Sequence, residues 1–168
     1  MDAGDFDMVF QALETAKIRY LVVGGVAVVL HGYPRFTGDI DLVLSLERAN
    51  VLAAVKALGG LGYKPRAPVH AEDFADPAVR RSWVEEKGLT VFSLWSPSYP
   101  ATDIDVFVEE PFPFDEAYGR ALHAQLEMCV IHVASIADLI DLKQRAGRPK
   151  DLEDIRMLRA LEEDGEPT

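Results

Sequence analysis

The chain has 168 residues, 49% of them hydrophobic, a formal net charge of −11 at pH 7 and one cysteine. At this size one core covers roughly 70% of the surface of the unfolded chain, so disulfides are not required, and Cys129 in the run Met128-Cys129-Val130-Ile131 reads as a small core residue in a reducing compartment. The acidic balance excludes nucleic-acid binding by bulk electrostatics, which rests on Lys and Arg. The acidic opening Met1-Asp2-Ala3-Gly4-Asp5 and the lack of an apolar run near ~18 residues predict no export and no membrane span, hence a cytoplasmic protein.

In chain order, Phe6, Val9, Phe10, Leu13 and Ala16 recur at helical spacing, which predicts an amphipathic helix over residues 5 to 17, capped by Asp5 and lying over a sheet. Leu21-Val22-Val23 is a short β-branched run stopped by Gly24-Gly25; residues 26 to 30 then have helix length before His31-Gly32-Tyr33-Pro34. The order is strand, tight turn, helix. Asp39-Ile40-Asp41-Leu42-Val43-Leu44 predicts a second strand that enters the core from its acidic end. A helix over residues 47 to 58 follows, closed by Gly59-Gly60.

Residues 64 to 88 carry little pattern and read as loops with a short helix after Pro77, placed to line a site. Thr90 to Trp95 and Thr102 to Val108 read as adjacent antiparallel strands around Ser96-Pro97-Ser98-Tyr99-Pro100. A short strand is predicted near residues 126 to 130, then helices over 135 to 146 and 150 to 161 joined at Gly147-Arg148-Pro149, and an acidic frayed tail over 162 to 168. No repeat or linker divides the chain. The expectation is one domain over residues 1–168, with its core at about 5–161 and an α+β (α/β) fold: a mixed sheet flanked by helices, with C-terminal helices.

Asp39-x-Asp41 is the sharpest local feature. Alternate strand residues share a face, and a rise of ~3.3 Å per residue sets these carboxylates about 6 to 7 Å apart, a suitable bracket for hard divalent cations that also take phosphate oxygens. Alone, the pattern also reads as a strand end with solvated acids. Upstream, Gly24-Gly25 at a strand-to-helix turn lets phosphate approach the backbone near free N–H groups, and otherwise these are ordinary turn glycines. Downstream, Asp103 and Asp105 share a strand face. Asp105 lies deeper in its apolar run, where an unpaired carboxylate needs a cation, so it is the candidate third ligand and Asp103 reads as a strand-end acid.

Gly24-Gly25-Val26-Ala27, His31-Gly32, Arg35-Phe36-Thr37-Gly38-Asp39-Ile40-Asp41-Leu42, Ile104-Asp105-Val106 and the closing run Asp138 to Ile155 resemble the polymerase-β-type nucleotidyltransferase superfamily. More narrowly they resemble its small bacterial abortive-infection branch, which includes AbiEii-like toxins of toxin–antitoxin systems. The resemblance covers roughly residues 20 to 158. Many superfamily members have Gly-Ser at the turn, the serine hydroxyl contacting phosphate; here Gly25 stands instead.

The resemblance implies a nucleotidyltransferase fold and metal-dependent transfer of an NMP from an NTP, ATP among the candidates, to a hydroxyl with release of pyrophosphate. Asp39, Asp41 and Asp105 are then the catalytic metal ligands for two Mg²⁺, with Mn²⁺ an alternative, and Gly24 and Gly25 hold phosphate. Arg35 and Thr37 are candidates to steady the nucleotide, or else a solvated loop and a turn hydrogen bond. Lys143 is a candidate to reach the phosphates from a packed helix. The basic strip Lys143, Arg145, Arg148 and Lys150 either meets RNA or triphosphate or complements a helix end, and Asp151, Glu153 and Asp154 read as macrodipole acids of the last helix. His31, His132, Trp83 and Trp95 read as structural. The acceptor is a tRNA or other RNA or a protein, with a cognate antitoxin as partner; the alternatives are a small-molecule (antibiotic) nucleotidyltransferase or a noncatalytic nucleotide- or partner-binding domain on the same scaffold.

Overall fold

The computed structural model describes residues 3–165. Helix α1, Ala3–Thr15, buries Val9, Phe10 and Leu13 as the 3.6-residue period requires. It starts before Asp5, which lies in the first turn rather than at the cap. It also ends earlier than residue 17: Lys17 turns left-handed at φ 57°, and the Ile18 amide donates back to the Leu13 carbonyl at 3.0 Å. Strand β1, Tyr20–Val23, is buried throughout, and α2, Gly24–Leu30, begins at the next residue without the expected turn. Gly24 makes this possible, because its φ of +70° is one that side chains resist.

Strand β2, Ile40–Leu44, α3, Arg48–Gly59, and the antiparallel pair β4, Val91–Trp95, and β5, Ile104–Phe107, fall where their patterns place them. Residues 64–88 hold more structure than their weak pattern suggests: a two-residue edge strand β3, Lys64–Pro65, a 3₁₀ turn, Ala71–Ala75, and the eleven-residue α4, Pro77–Lys87, capped by Asp76. Phe74, Trp83 and Phe92 stack here with centroids 5.0–6.3 Å apart, so Trp83 is core. Helix α5, Phe114–Gly119, was not legible in the pattern. The single strand expected at 126–130 is instead a turn between β6, Leu122–Gln125, and β7, Val130–Val133. Helix α6, Ile136–Ala146, is capped by Ser135 and stopped by left-handed Gly147, and α7, Pro149–Gly165, takes residues 162–165 out of the expected frayed tail, whose remainder lies outside the described residues.

The strands form one mixed seven-stranded sheet in the order β3-β4-β5-β2-β1-β7-β6, parallel between β2 and β5 and between β1 and β7, antiparallel elsewhere. This α+β arrangement sets register and therefore side-chain faces. Ile40, Leu42, Phe92, Leu94, Ile104 and Val106 point into the core, so the residues alternating with them share the opposite face. Cys129 is buried, as expected. Among the described residues no helix is long and apolar enough to cross a membrane.

Candidate active site

Register brings the acids together. Asp41 pairs with Asp105 across the parallel β2–β5 ladder and with Val23 across β1, so the two carboxylates stand on one face of strands about 4.8 Å apart. The Ile40 amide donates to the Asp103 carbonyl, which puts Asp39 beside Asp103 one step nearer the strand ends. Asp39 is exposed, whereas Asp41 and Asp105 are part-buried. Burial, then Asp105, then Asp39 push the Asp41 carboxyl up to about 7, against the pull of Lys143 and Arg148. Asp39 is raised for the same reasons, burial first and then Asp105 and Asp103. Like charges held in one partly desolvated place are what a cation would relieve.

Asp105 is oriented by a residue that the motif reading missed: Ser93 on β4 donates its hydroxyl to Asp105 Oδ1 at 2.6 Å. Only the cross-strand register Ser93–Asp105 reveals it. Asp103 is engaged elsewhere, accepting from Arg66 Nε and Nη2 at 2.8 and 2.5 Å.

Gly24 and Gly25 close the site on the β1 side. A Cβ on Gly24 would stand 2.1 Å from Asp41 Oδ2, and one on Gly25 would stand 2.8 Å from Thr37 Oγ1. The Thr37 hydroxyl therefore occupies the space a serine at 25 would need, and the substitution of Gly for Ser at the turn is matched by threonine on the facing loop. Helix α2, seven residues long, starts at these glycines.

Cations line the other side of the cleft, and their carboxylate partners were not foreseen from the sequence. Lys143 is buried in α6 with its Nζ 2.8 Å from Asp154 Oδ2 and 3.7 Å from Asp151 Oδ1. Asp154 also accepts from Arg35. Arg148 binds Asp151 through Nε at 2.8 Å. Burial would raise Asp151, but the hydrogen bonds from the Arg148 side chain and backbone outweigh it and hold the carboxyl below its usual range. Asp151 and Asp154 are thus buried partners of three cations, correcting their reading as macrodipole acids, and Lys143 and Arg35 are committed to carboxylates rather than free. Arg145 likewise pairs with Asp141 and the Pro111 carbonyl, so Lys143, Arg145 and Arg148 of the basic strip each have a carboxylate partner.

These groups line one cleft of about 850 Å³ that includes Gly24, Gly25, Arg35, Thr37, Asp39, Asp41, Asp105 and Lys143. It has room for a nucleotide, and Val91, Phe107, Leu139 and Leu142 give it an apolar wall. Among the described residues no three His, Cys, Asp or Glu groups already converge on one point. The donor set still suits Mg²⁺, which takes one or two carboxylates and completes its shell with water and substrate phosphate. His31 instead bonds the Ala134 carbonyl at 2.8 Å, and His132 packs among Tyr20, Tyr118 and His123, as structural residues do.

The model of a family described as "Nucleotidyl transferase AbiEii toxin, Type IV TA system" matches residues 9–168. Among solved structures, the chain is similar to the lincosamide antibiotic adenylyltransferase LnuA in its lincomycin-bound form, at 18% identity and a TM-score of 0.61 over 96% of this chain and 98% of that one. It is similar to ANT(2")-Ia in complex with adenylyl-2"-tobramycin, at 15% identity and a TM-score of 0.57 over 92% and 86% of the two chains. An antigenic nucleotidyltransferase-like protein from Paracoccidioides brasiliensis aligns at 18% identity and a TM-score of 0.57 over 100% of this chain and 80% of that one. No curated protein sequence matches. At these identities the solved structures establish the fold.

Proposed function

Because this chain belongs to the AbiEii nucleotidyl transferase toxin family of type IV toxin–antitoxin systems, we propose that its cleft binds an NTP with Mg²⁺ and transfers the NMP to an acceptor hydroxyl, restrained in the cell by a cognate antitoxin. One observation carries the reading: Asp41 and Asp105 stand side by side across the β2–β5 ladder, with Asp39 one step nearer the strand end, and Asp41 is forced up to about 7. A fold that needed only stability has no use for that repulsion. Asp39 and Asp41 are the residues to hold the triphosphate-bound ion and Asp105 the second; Mn²⁺ would suit the same oxygens. Bound there, Mg²⁺ neutralises phosphate charge and acidifies the attacking hydroxyl.

The chain's own groups do the rest. Gly24 and Gly25 admit the β- and γ-phosphates against the backbone, the Thr37 hydroxyl donates to one of them, and Arg35, Lys143 and Arg148 face them with positive charge held in place by Asp154 and Asp151. The acceptor oxygen forms its bond to the α-phosphorus, the bond from that phosphorus to the bridging oxygen breaks with its electron pair onto pyrophosphate, and the hydroxyl proton passes to Asp105, kept in position by Ser93.

The test is incubation with Mg²⁺, each labelled NTP in turn, and total tRNA, protein extract or an aminoglycoside. Label transferred by the wild type and abolished by Asp41→Asn supports the reading; NTP binding without transfer to any acceptor overturns it in favour of a binding domain. Transfer to the aminoglycoside alone would place this chain with its structural neighbours in acceptor choice.

A further inference from the structure

Of the eight phenylalanines in the chain, seven belong to the fold: five are in the core, and Phe6 and Phe107 pack against it. The eighth, Phe36, is 88% exposed. It takes no part in the core or in the ring stacks that the other phenylalanines make among the described residues. A lone exposed apolar side chain is ordinary on a surface. This one lines the cleft that holds Gly24, Gly25, Asp39 and Asp41.

The backbone that carries the ring is held on both sides. Arg35 is tied to Asp154 on α7, and its Nε donates to the Phe36 carbonyl at 3.4 Å. Arg35 and Thr37 both reach Gly25, where a Cβ would meet Thr37 Oγ1 at 2.8 Å and Arg35 Cζ at 3.6 Å. Phe36 is therefore fixed within one residue of the groups that face the diglycine turn, while its ring stays bare. Folding gains little from that ring, because apolar surface left in water contributes no burial. A ligand whose anionic end lies at Gly24 and Gly25 covers it if the other end carries a flat group. Every nucleobase has such a face, and bases stack on aromatic side chains whatever their hydrogen-bonding edges. Phe107, the other aromatic ring of the cleft lining, is partly buried against the core, so the larger uncovered aromatic face is that of Phe36.

We propose that Phe36 is the base-stacking residue of the cleft: with the phosphates at Gly24 and Gly25, the nucleobase lies on the Phe36 ring. The inference rests on the NTP reading above and adds the residue that binds the end of the nucleotide away from the phosphates. A ring reads the face of a base and not its edge, so it supplies affinity for every NTP. The contribution is greater for the larger purine face than for a pyrimidine.

The experiment compares the wild type with Phe36→Ala, Phe36→Leu and Phe36→Trp by calorimetric titration with two probes. One is each Mg²⁺–NTP in turn; the other is Mg²⁺–tripolyphosphate, which carries three phosphates without sugar or base. In Phe36→Ala the affinity for NTP falls about tenfold, the scale of one lost base stack, and more for ATP and GTP than for CTP and UTP. Its tripolyphosphate affinity and its Tm stay at the wild-type values. Phe36→Leu, apolar but without a π-face, binds NTP about threefold more weakly than the wild type. Phe36→Trp binds NTP at least as tightly as the wild type, and the fluorescence it adds to that of Trp83 and Trp95 is quenched by NTP and not by tripolyphosphate. Equal NTP affinity in the wild type and Phe36→Ala overturns the proposal and leaves the ring to an acceptor or an antitoxin. A parallel fall for NTP and tripolyphosphate overturns it as well, because the ring then only shapes the loop that meets phosphate. If the wild type binds neither probe, the NTP reading itself falls and the stack with it; if the wild type binds NTP and Phe36→Ala matches it, only the stack does.

Discussion

Two regions of the cleft hold charges of the same kinds and treat them oppositely. On β2 and β5, Asp39, Asp41 and Asp105 are left facing one another, and Asp41 is raised to about 7. On α6 and α7, some of the same cleft's lining, every buried charge is matched: Lys143 by Asp154 and Asp151, Arg148 by Asp151, Arg35 by Asp154. The first region costs stability, because like charges stay close in a partly desolvated place. The second holds its cations in fixed positions; on the proposed function, a phosphate group would meet them already oriented, without the entropy cost of ordering long side chains.

Substitutions that break this contrast are expected to act in opposite directions on activity and stability. The largest effect is on turnover: Asp41→Asn should lower labelled-NMP transfer by at least about 10³-fold, the scale of losing a principal electrostatic contributor. Yet the same change should raise the Tm of the metal-free protein by roughly 3–6 °C at neutral pH, the shift that 1–2 kcal/mol gives at this size, since it removes the repulsion. A fall in Tm would contradict the repulsive reading of the acids.

Asp154→Ala should do the reverse. It strips Lys143 and Arg35 of a buried partner, and breaking such a pair costs about 3–5 kcal/mol, less here because Asp151 stays 3.7 Å from Lys143. Denaturant unfolding reads it; a loss under about 1 kcal/mol would mean that these ion pairs are dispensable. Gly24→Ala should also be severe, with a Cβ 2.1 Å from Asp41 Oδ2 on a backbone at φ +70°, a strain of order 1–3 kcal/mol before the clash is relieved.

The two regions also respond to pH with opposite sign. A carboxyl raised in the folded state binds more protons there than in the unfolded chain, so the Asp41 region loses stability as pH rises from about 4 to about 7 and changes little above. Asp151 and Asp138 are lowered, against burial, by hydrogen bonds from Arg148 and from Arg120 and Ser135. Their contribution is complete above the ordinary carboxylate range and disappears as pH falls below it. Thermal melts of metal-free wild type and Asp41→Asn across pH 3 to 8 should therefore share the acid-side loss, with the wild type declining more steeply toward neutrality than the variant, in which only Asp39 stays raised. The smallest effect is Ser93→Ala, which frees Asp105 Oδ1: stability should change by about 1 kcal/mol or less, while kcat falls about tenfold with the KM for NTP near wild type.

How far the chain itself could be read follows from how local each signal is. The apolar Leu21-Val22-Val23, the helical pattern over 135 to 146 and the Ser96 to Pro100 turn each act within a few residues, and each element stands where they place it. The site acids were legible because a spacing of two puts Asp39 and Asp41 on one face and the resemblance joins Asp105 to them. The β6–β7 hairpin was misplaced because residues 126–129 are apolar enough to imitate a strand, and α5 is only six residues long. Ser93 beside Asp105, Thr37 against Gly25, and Asp154 between Lys143 and Arg35 have no local signature; their partners are 12 residues away in the chain for Ser93 and Asp105, 119 for Arg35 and Asp154.

The amino-acid pattern by itself determined which segments become helix or strand at the strongly periodic positions, that a cluster of strand-end acids follows a diglycine turn, and the family to which that order belongs. Tertiary structure alone decided which charges are paired and which are left in opposition, since a carboxylate's partner is set by sheet register and helix docking, and Coulomb energy depends on distance in space rather than along the chain. That is why Asp151 and Asp154, acids in the first turns of a helix, became the counter-charges of Lys143, Arg148 and Arg35, while Asp41, a residue of the same chemistry, was left beside Asp105.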